Sequence, residues 1–394
     1  MSSLLGSFNL GVNALVASSS AFATISQNMA NSRTPGYRRV ETEFATLLGG
    51  IDVRGSQPGG VRAYTRTNMD VQGSLEITNR KFDIAIDGPG MFVFGQFEGG
   101  SDADEFRYSR DGSLTSIRSP DVNDPVGYLG NETGLYLLGW ELENGEVVSD
   151  SLADLRPLPA TTNDAFEGQQ TANADLIATL PANQTTAATQ IFYFDANGAR
   201  QTLMLNWTKN APNSWTLQPT DPAGNPVGGP IPMTFDGTGN ITSATSITIA
   251  GFNLNVSQVN QVGNFFQLGQ YIQDGVARGE FVAYEILPDG RVNARYTNGA
   301  VRSLYKVPVA TFPNQAGLIE ESGTMYRVSD KSGDPTLNEV GEQSIQIVAG
   351  AVEMANFDLS QGFTQLIITQ RAYDTAAQVV RTVDEMSQVV TQLL

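Results

Sequence analysis

The chain contains no cysteine and no histidine among its 394 residues. Without cysteine there can be no disulfide and no thiolate metal site. Without histidine the commonest general base, the usual catalytic triad and the commonest zinc ligand are all missing. Charge is also sparse: charged residues make up 16% of the chain, and residues 1–32 carry none. No uninterrupted run of roughly 18 apolar residues occurs, so the sequence predicts no membrane insertion. An apolar start with Ala21-Phe22-Ala23 has the look of a signal peptide. Yet no Lys or Arg precedes it, and Ser, Asn and Gly keep interrupting it, so no cleavage is expected.

What is present is acidic and rich in turns. The formal net charge is -18, which disfavours nucleic acid because phosphates would repel the surface. Residues 148–275 hold only Arg156, Arg200 and Lys209 as cations. Gly (40) and Pro (18) are plentiful, and helical patterning is confined to the ends, so the middle reads as β structure.

The ends share one pattern. Phe8, Leu15, Phe22 and Met29 recur every seven residues, with Leu5 and Val12 in step. Leu359, Leu366, Tyr373, Val380 and Leu394 do the same, with Val383 and Val390 at companion positions. A seven-residue apolar repeat marks helices that wind around one another. The same spacing also fits one amphipathic face on a globular core. Both ends carry it, however, and the first is too polar for a buried core helix, so these residues are expected to form an assembly interface.

Between the ends the chain punctuates itself. Residues 4–31 read as a helix ended by Pro35-Gly36. Residues 37–70 are extended, with breaks at Gly49-Gly50 and Gly59-Gly60. Residues 82–86 and 91–94 alternate around Asp87-Gly88-Pro89-Gly90, which predicts a hairpin. Turns are expected at Arg110-Asp111-Gly112, Asp195–Gly198, Asp221–Pro226 and Leu287–Gly290, and a strand at 247–256.

The expected class is mainly β with terminal α-helices, nested: residues 1–32 and 358–394 form a helical coiled coil and 33–72 an extended linker. Residues 73–147 and 276–357 form an inner β domain, and 148–275 an inserted all-β domain. The Asp-Gly-Pro-Gly loop lacks the lysine of a phosphate loop. The acids Asp102, Asp104 and Glu105, and Asp330 with Asp334, lack the 12-residue calcium pattern. No cofactor, metal or catalytic residue is expected.

Several stretches then resemble a known family. Residues 28–37 (NMANSRTPGY), with Asn31, Thr34, Pro35, Gly36 and Tyr37, resemble the N-terminal signature of bacterial flagellar rod, hook and hook-associated proteins. Residues 82–93, with Asp87, Gly88 and Gly90, resemble their first-hairpin motif, and Arg110, Asp111 and Gly112 the motif after it. Asn356 and Asp358, then Gln370 and Arg371, resemble the C-terminal signature. Thr34–Tyr37 is closer in style to rod and hook-associated relatives, and Gly362 stands where an acid is usual. The large insert is closer to hook proteins, with a distal rod or hook-associated protein as the alternative.

The resemblance implies a structural subunit with no catalytic site. Such a subunit polymerises with itself into a curved, flexible extracellular tube that passes motor torque to the filament. It implies export through the flagellar type III apparatus without a cleaved signal peptide. It also implies contacts with rod and hook-filament junction proteins and with a hook cap during assembly.

Overall fold

The computed structural model describes residues 2–52, 55–96, 105–121, 126–143, 145–162, 165–243, 245–321, 324–341 and 345–392. Side chains are described within these except at 2–5, 47–59 and 390–392. Two helices, α1 (Ser2–Ala30) and α2 (Leu359–Gln392), flank the strands. The chain divides into two units. The first comprises Met1–Thr162, Tyr284–Asn293 and Arg302–Leu394, and the second Asn163–Ala283 with Ala294–Val301.

In the first unit α1 lies against α2 and against a long antiparallel hairpin, β1 (Val40–Asp52) with β2 (Gly55–Thr67). Residues 37–70 are therefore a paired ribbon rather than a loose linker. The strands run through both Gly pairs, with register shifts between Leu47 and Gly50. Being free of charge, Gly6–Ala30 passes as long and apolar enough to cross a membrane by length and composition, although no continuous apolar run is present.

The hairpin expected around Asp87–Gly90 does not form. Ile84–Asp87 pairs with Gln346–Ala349, whereas Phe92–Gly95 pairs with Arg107–Ser109 and Tyr136–Glu143. Both strands are buried almost throughout, so their apolar pattern could not say which partner each would take. Gly88 (φ 118°) and Gly90 (φ 116°) make the crossing between sheets, in backbone conformations that other residues avoid. The core around this sheet is built from Met91, Val93, Tyr108, Leu138, Trp140 and Tyr326. Residues 148–162 belong to this unit, because Leu155–Pro157 pairs with Tyr136–Glu143.

The second unit packs two four-stranded sheets over one core. One sheet supplies Leu176, Leu254 and Val256, the other Leu205, Trp207, Trp215 and Leu217. Alternating burial along these strands is the ordinary mark of one face in and one face out. The strand expected at 247–256 is two strands, Ser246–Ile249 and Phe252–Gly263, folded back at Ala250 (φ 50°) and Gly251 (φ 89°). The sequence signal failed there because Ala-Gly is a weak turn marker.

One five-residue turn recurs across both units. At Asp195, Asp221 and Asp236 the first residue's N–H donates to the carbonyl four residues on. Its carboxylate accepts the N–H of that same residue, and a glycine stands at the fourth position. Asn131 builds the same turn with its amide oxygen, ending at Gly134 and Leu135. Short polar side chains that cap their own turns explain why the loops at Asp195 and Asp221 were visible in the sequence.

Candidate functional site

The motif residues converge on a buried polar junction in the first unit. Its centre is Glu353, 1% exposed, on the short strand Ala351–Glu353. Arg38 Nη1 lies 2.8 Å from Glu353 Oε1, and Arg110 Nε lies 2.8 Å from Oε2. Gly73 N donates to Oε1 at 2.8 Å, and Gly36 N donates to the Glu353 carbonyl at 2.7 Å. Arg110 Nη1 also donates to the carbonyls of Gly88 and Gly90, each at 2.8 Å. This fork holds the crossing between the two sheets. Arg38 Nη1 donates to Val71 O at 2.7 Å.

Burial lowers the Arg110 pKa to about 10, with Glu353 opposing the shift and Arg38 adding to it. Two buried guanidiniums share the Glu353 carboxylate, so neither has a full counter-charge of its own. Such a group is stable only while every partner is in place.

Two asparagines extend the junction. Arg39 N donates to Asn356 Oδ1 at 2.6 Å, and Asn356 Nδ2 donates to Asn68 O and Val71 O at 3.0 and 2.9 Å. Asn28, near the end of α1, donates to Val40 O and accepts from Val40 N and the Tyr37 hydroxyl. Burial raises the Tyr37 pKa to about 12, which keeps that hydroxyl a donor. Gly36 (φ 70°) leaves no room for a side chain beside the Asp111 backbone. Gly112 likewise sits against the Ile84 carbonyl. Asp111 accepts from Ser113 N at 2.9 Å, and burial raises its pKa.

Of the motif residues, Gly36, Tyr37, Gly88, Gly90, Arg110, Asp111, Gly112 and Asn356 meet here. Asn31 and Thr34 hydrogen-bond one another in the turn that leaves α1, which Pro35 follows. Asp87 is exposed at the end of its strand. Asp358 accepts from Ser360 N and Gln361 N and so caps α2. Gln370 and Arg371 are exposed on α2. Gly362 makes room for the Phe357 ring, which accounts for the missing acid there. Sequence reasoning missed Arg38 and Glu353. The signal for Glu353 was a lone acid in an otherwise apolar strand.

The second feature is the apolar surface of the helices. Among the α1 side chains described, those buried are small or polar, namely Gly11, Ala17, Ala21, Thr24 and Asn28, with Ile25 the one large apolar member. A Cβ at Gly11 would press on Val380 of α2. The large heptad residues turn away: Phe8 and Phe22 are 36% and 45% exposed, and Val12, Leu15 and Met29 are half-buried. On α2, Val383 and Ala376 are buried and Leu366 and Val380 half-buried. Leu359, Phe363, Ile367 and Tyr373 are exposed. Leu5 and Val390 are described by backbone only, and Leu394, Asp102 and Asp104 lie outside the described residues. A groove of about 330 Å³ runs between α1, β1 and the start of α2, past Ile25, Phe44, Phe357 and Ile368. Among the described residues no group of three acids could hold a metal ion.

Comparison with known proteins follows the same lines. Residues 348–393 match the family model described as flagellar basal body rod FlgEFG protein C-terminal. The chain is 27% identical over 416 residues to the flagellar hook protein FlgE of Rhizobium meliloti, covering 99% of both. It is 28% identical over 405 residues to that of Brucella suis, again covering 99% of both. It is 26% identical over 418 residues to that of Salmonella typhimurium, covering 96% of this chain and 98% of the other. A solved structure, Helicobacter pylori flagellar hook protein FlgE2, is 14% identical with a TM-score of 0.47. That match covers 69% of this chain and 98% of the other. The chain is thus similar, over almost the whole length of both, to flagellar hook proteins.

Proposed function

We propose that this chain is itself a structural subunit of a bacterial flagellar hook, not an enzyme. The observation that carries this is similarity to named hook proteins over almost the full length of both chains. Coverage at that level favours a hook subunit over a distal rod or hook-associated protein.

The exposed stripes on the helices supply the means of polymerising. Phe8 and Phe22 on α1, and Leu359, Phe363, Ile367 and Tyr373 on α2, are large apolar groups left open to water. Burying each contributes roughly 1.5–3 kcal/mol. That gain must offset the cost of fixing the chain. α1 is rich in Ser and Asn, hence weak on its own, so it orders fully only when copies pack together. In the tube the two helices form a coiled coil lined by neighbours, with head-to-tail contacts that do not close.

The second unit, whose strands expose mostly polar residues, with Leu268 and Ile272 among the apolar exceptions, makes the wetter contacts that slide as the tube bends. The chain leaves the cell by the flagellar type III route without a cleaved signal peptide. It then meets the hook cap, the rod and the junction to the filament. Deleting the gene in its own bacterium tests the reading. Non-motile cells whose basal bodies end at the rod are expected, and motile cells with intact hooks would refute it.

A further inference from the structure

The buried junction sets an order on folding. Its cations lie early in the chain, at Arg38 and Arg110, and among the described residues the one carboxylate within ion-pair reach of both is Glu353. Each guanidinium is 3% exposed and Glu353 is 1% exposed. Asp87 also draws on Arg110, but as the weakest of the causes acting on it. Arg38 and Arg110 also have early carbonyl partners in Val71, Gly88 and Gly90, but these carry no counter-charge, and several backbone partners of the early segment arrive late. Ile84–Asp87 pairs with Gln346–Ala349, Leu75–Ile77 pairs with Ala351–Glu353, and Asn356 takes Arg39 N, Asn68 O and Val71 O.

We propose that Glu353 is a latch: the first unit cannot close until residues 346–356 have been delivered. A chain is made from its N-terminus, so the two arginines always exist before their counter-charge. Closing residues 34–40 over Arg38 and Arg110 without Glu353 would bury two unpaired cations, which is strongly unfavourable. Apolar residues at these three places could pack earlier and give a closed, incomplete unit. The charged cluster penalises that premature state and is satisfied only in the finished one. The second unit contains no member of the junction and completes its core independently. This inference stands apart from the hook reading, since it rests only on the geometry of the junction.

Hydrogen exchange on the full chain tests it. In Glu353→Gln, peptides spanning 34–40, 84–95 and 107–112 should exchange on the order of 100-fold faster. Peptides from 174–180 and 203–217 in the second unit should be unchanged. Pulse labelling of the unmodified chain during refolding provides a second reading that needs no variant. Residues 34–40 and 346–356 should gain protection together, after the second unit. Protection of 34–40 ahead of 346–356, or unchanged exchange at 34–40 in Glu353→Gln, would overturn the proposal.

Discussion

Asn356 shows how much one side chain can do at the junction. It accepts from Arg39 N and donates to two carbonyls, at Asn68 and Val71, all from segments far away in sequence. Truncation would strand Arg39 N and Asn68 O, while Val71 O keeps Arg38 Nη1, and each unsatisfied buried group costs about 1–3 kcal/mol. Asn356→Ala should therefore lose about 2–4 kcal/mol, read from the urea midpoint of the first unit. Asn210→Ala, which removes an exposed bond to Thr216, should stay within about 0.5 kcal/mol. Equal effects of the two would show that the junction is not special. Asn356, Arg110 and Gly36 were legible in the sequence because they sit in recognisable motifs. Arg38 and Glu353 were not, because nothing local distinguishes a paired buried charge from an exposed one. Only the fold brings residue 38 to residue 353.

At the scale of elements, the Asp-headed turns of the second unit tie its stability to pH. Hydrogen bonds hold three carboxylates below the ordinary range: from Gln201 for Asp195, Asn225 for Asp221 and Thr238 for Asp236, the last reaching about 2. Asp274 is held down likewise by backbone N–H groups, first that of Asn173. A carboxylate whose folded pKa lies below its unfolded value of 3.8 stabilises above that value. The contribution is lost as pH falls through the folded pKa. The second unit should therefore weaken between about pH 4 and about pH 2, as urea midpoints from exchange of its peptides would report. Asp236→Asn should flatten that fall, and an unchanged slope would show the turn is not responsible.

The helices carry the other prediction at this scale. Phe22 is 45% exposed, so Phe22→Asp should change monomer stability by less than about 0.5 kcal/mol. It should nevertheless abolish polymerisation in a sedimentation assay, and full polymerisation would remove the α1 stripe from the interface. The heptads announced two long helices, and both are present. They could not announce which face each helix keeps for its partner. α1 buries mostly small or polar residues, Gly11 against Val380 of α2 and Thr24 and Asn28 against β1, and leaves Phe8 and Phe22 exposed, an arrangement that spacing alone does not distinguish from the reverse.

For the whole molecule, helices at the ends and strands between were readable from composition and patterning. Strand partners were not readable where both faces of a strand are buried, as at Ile84–Asp87, because pairing across more than 250 residues leaves no local trace. The central claim is that this chain builds a hook by polymerising with itself through its terminal helices. The most direct measurement is electron microscopy of the purified chain as ammonium sulfate is raised, a condition that strengthens apolar burial. Curved tubes are the predicted result. A chain that stays monomeric throughout, or that forms only straight rods, would contradict the account.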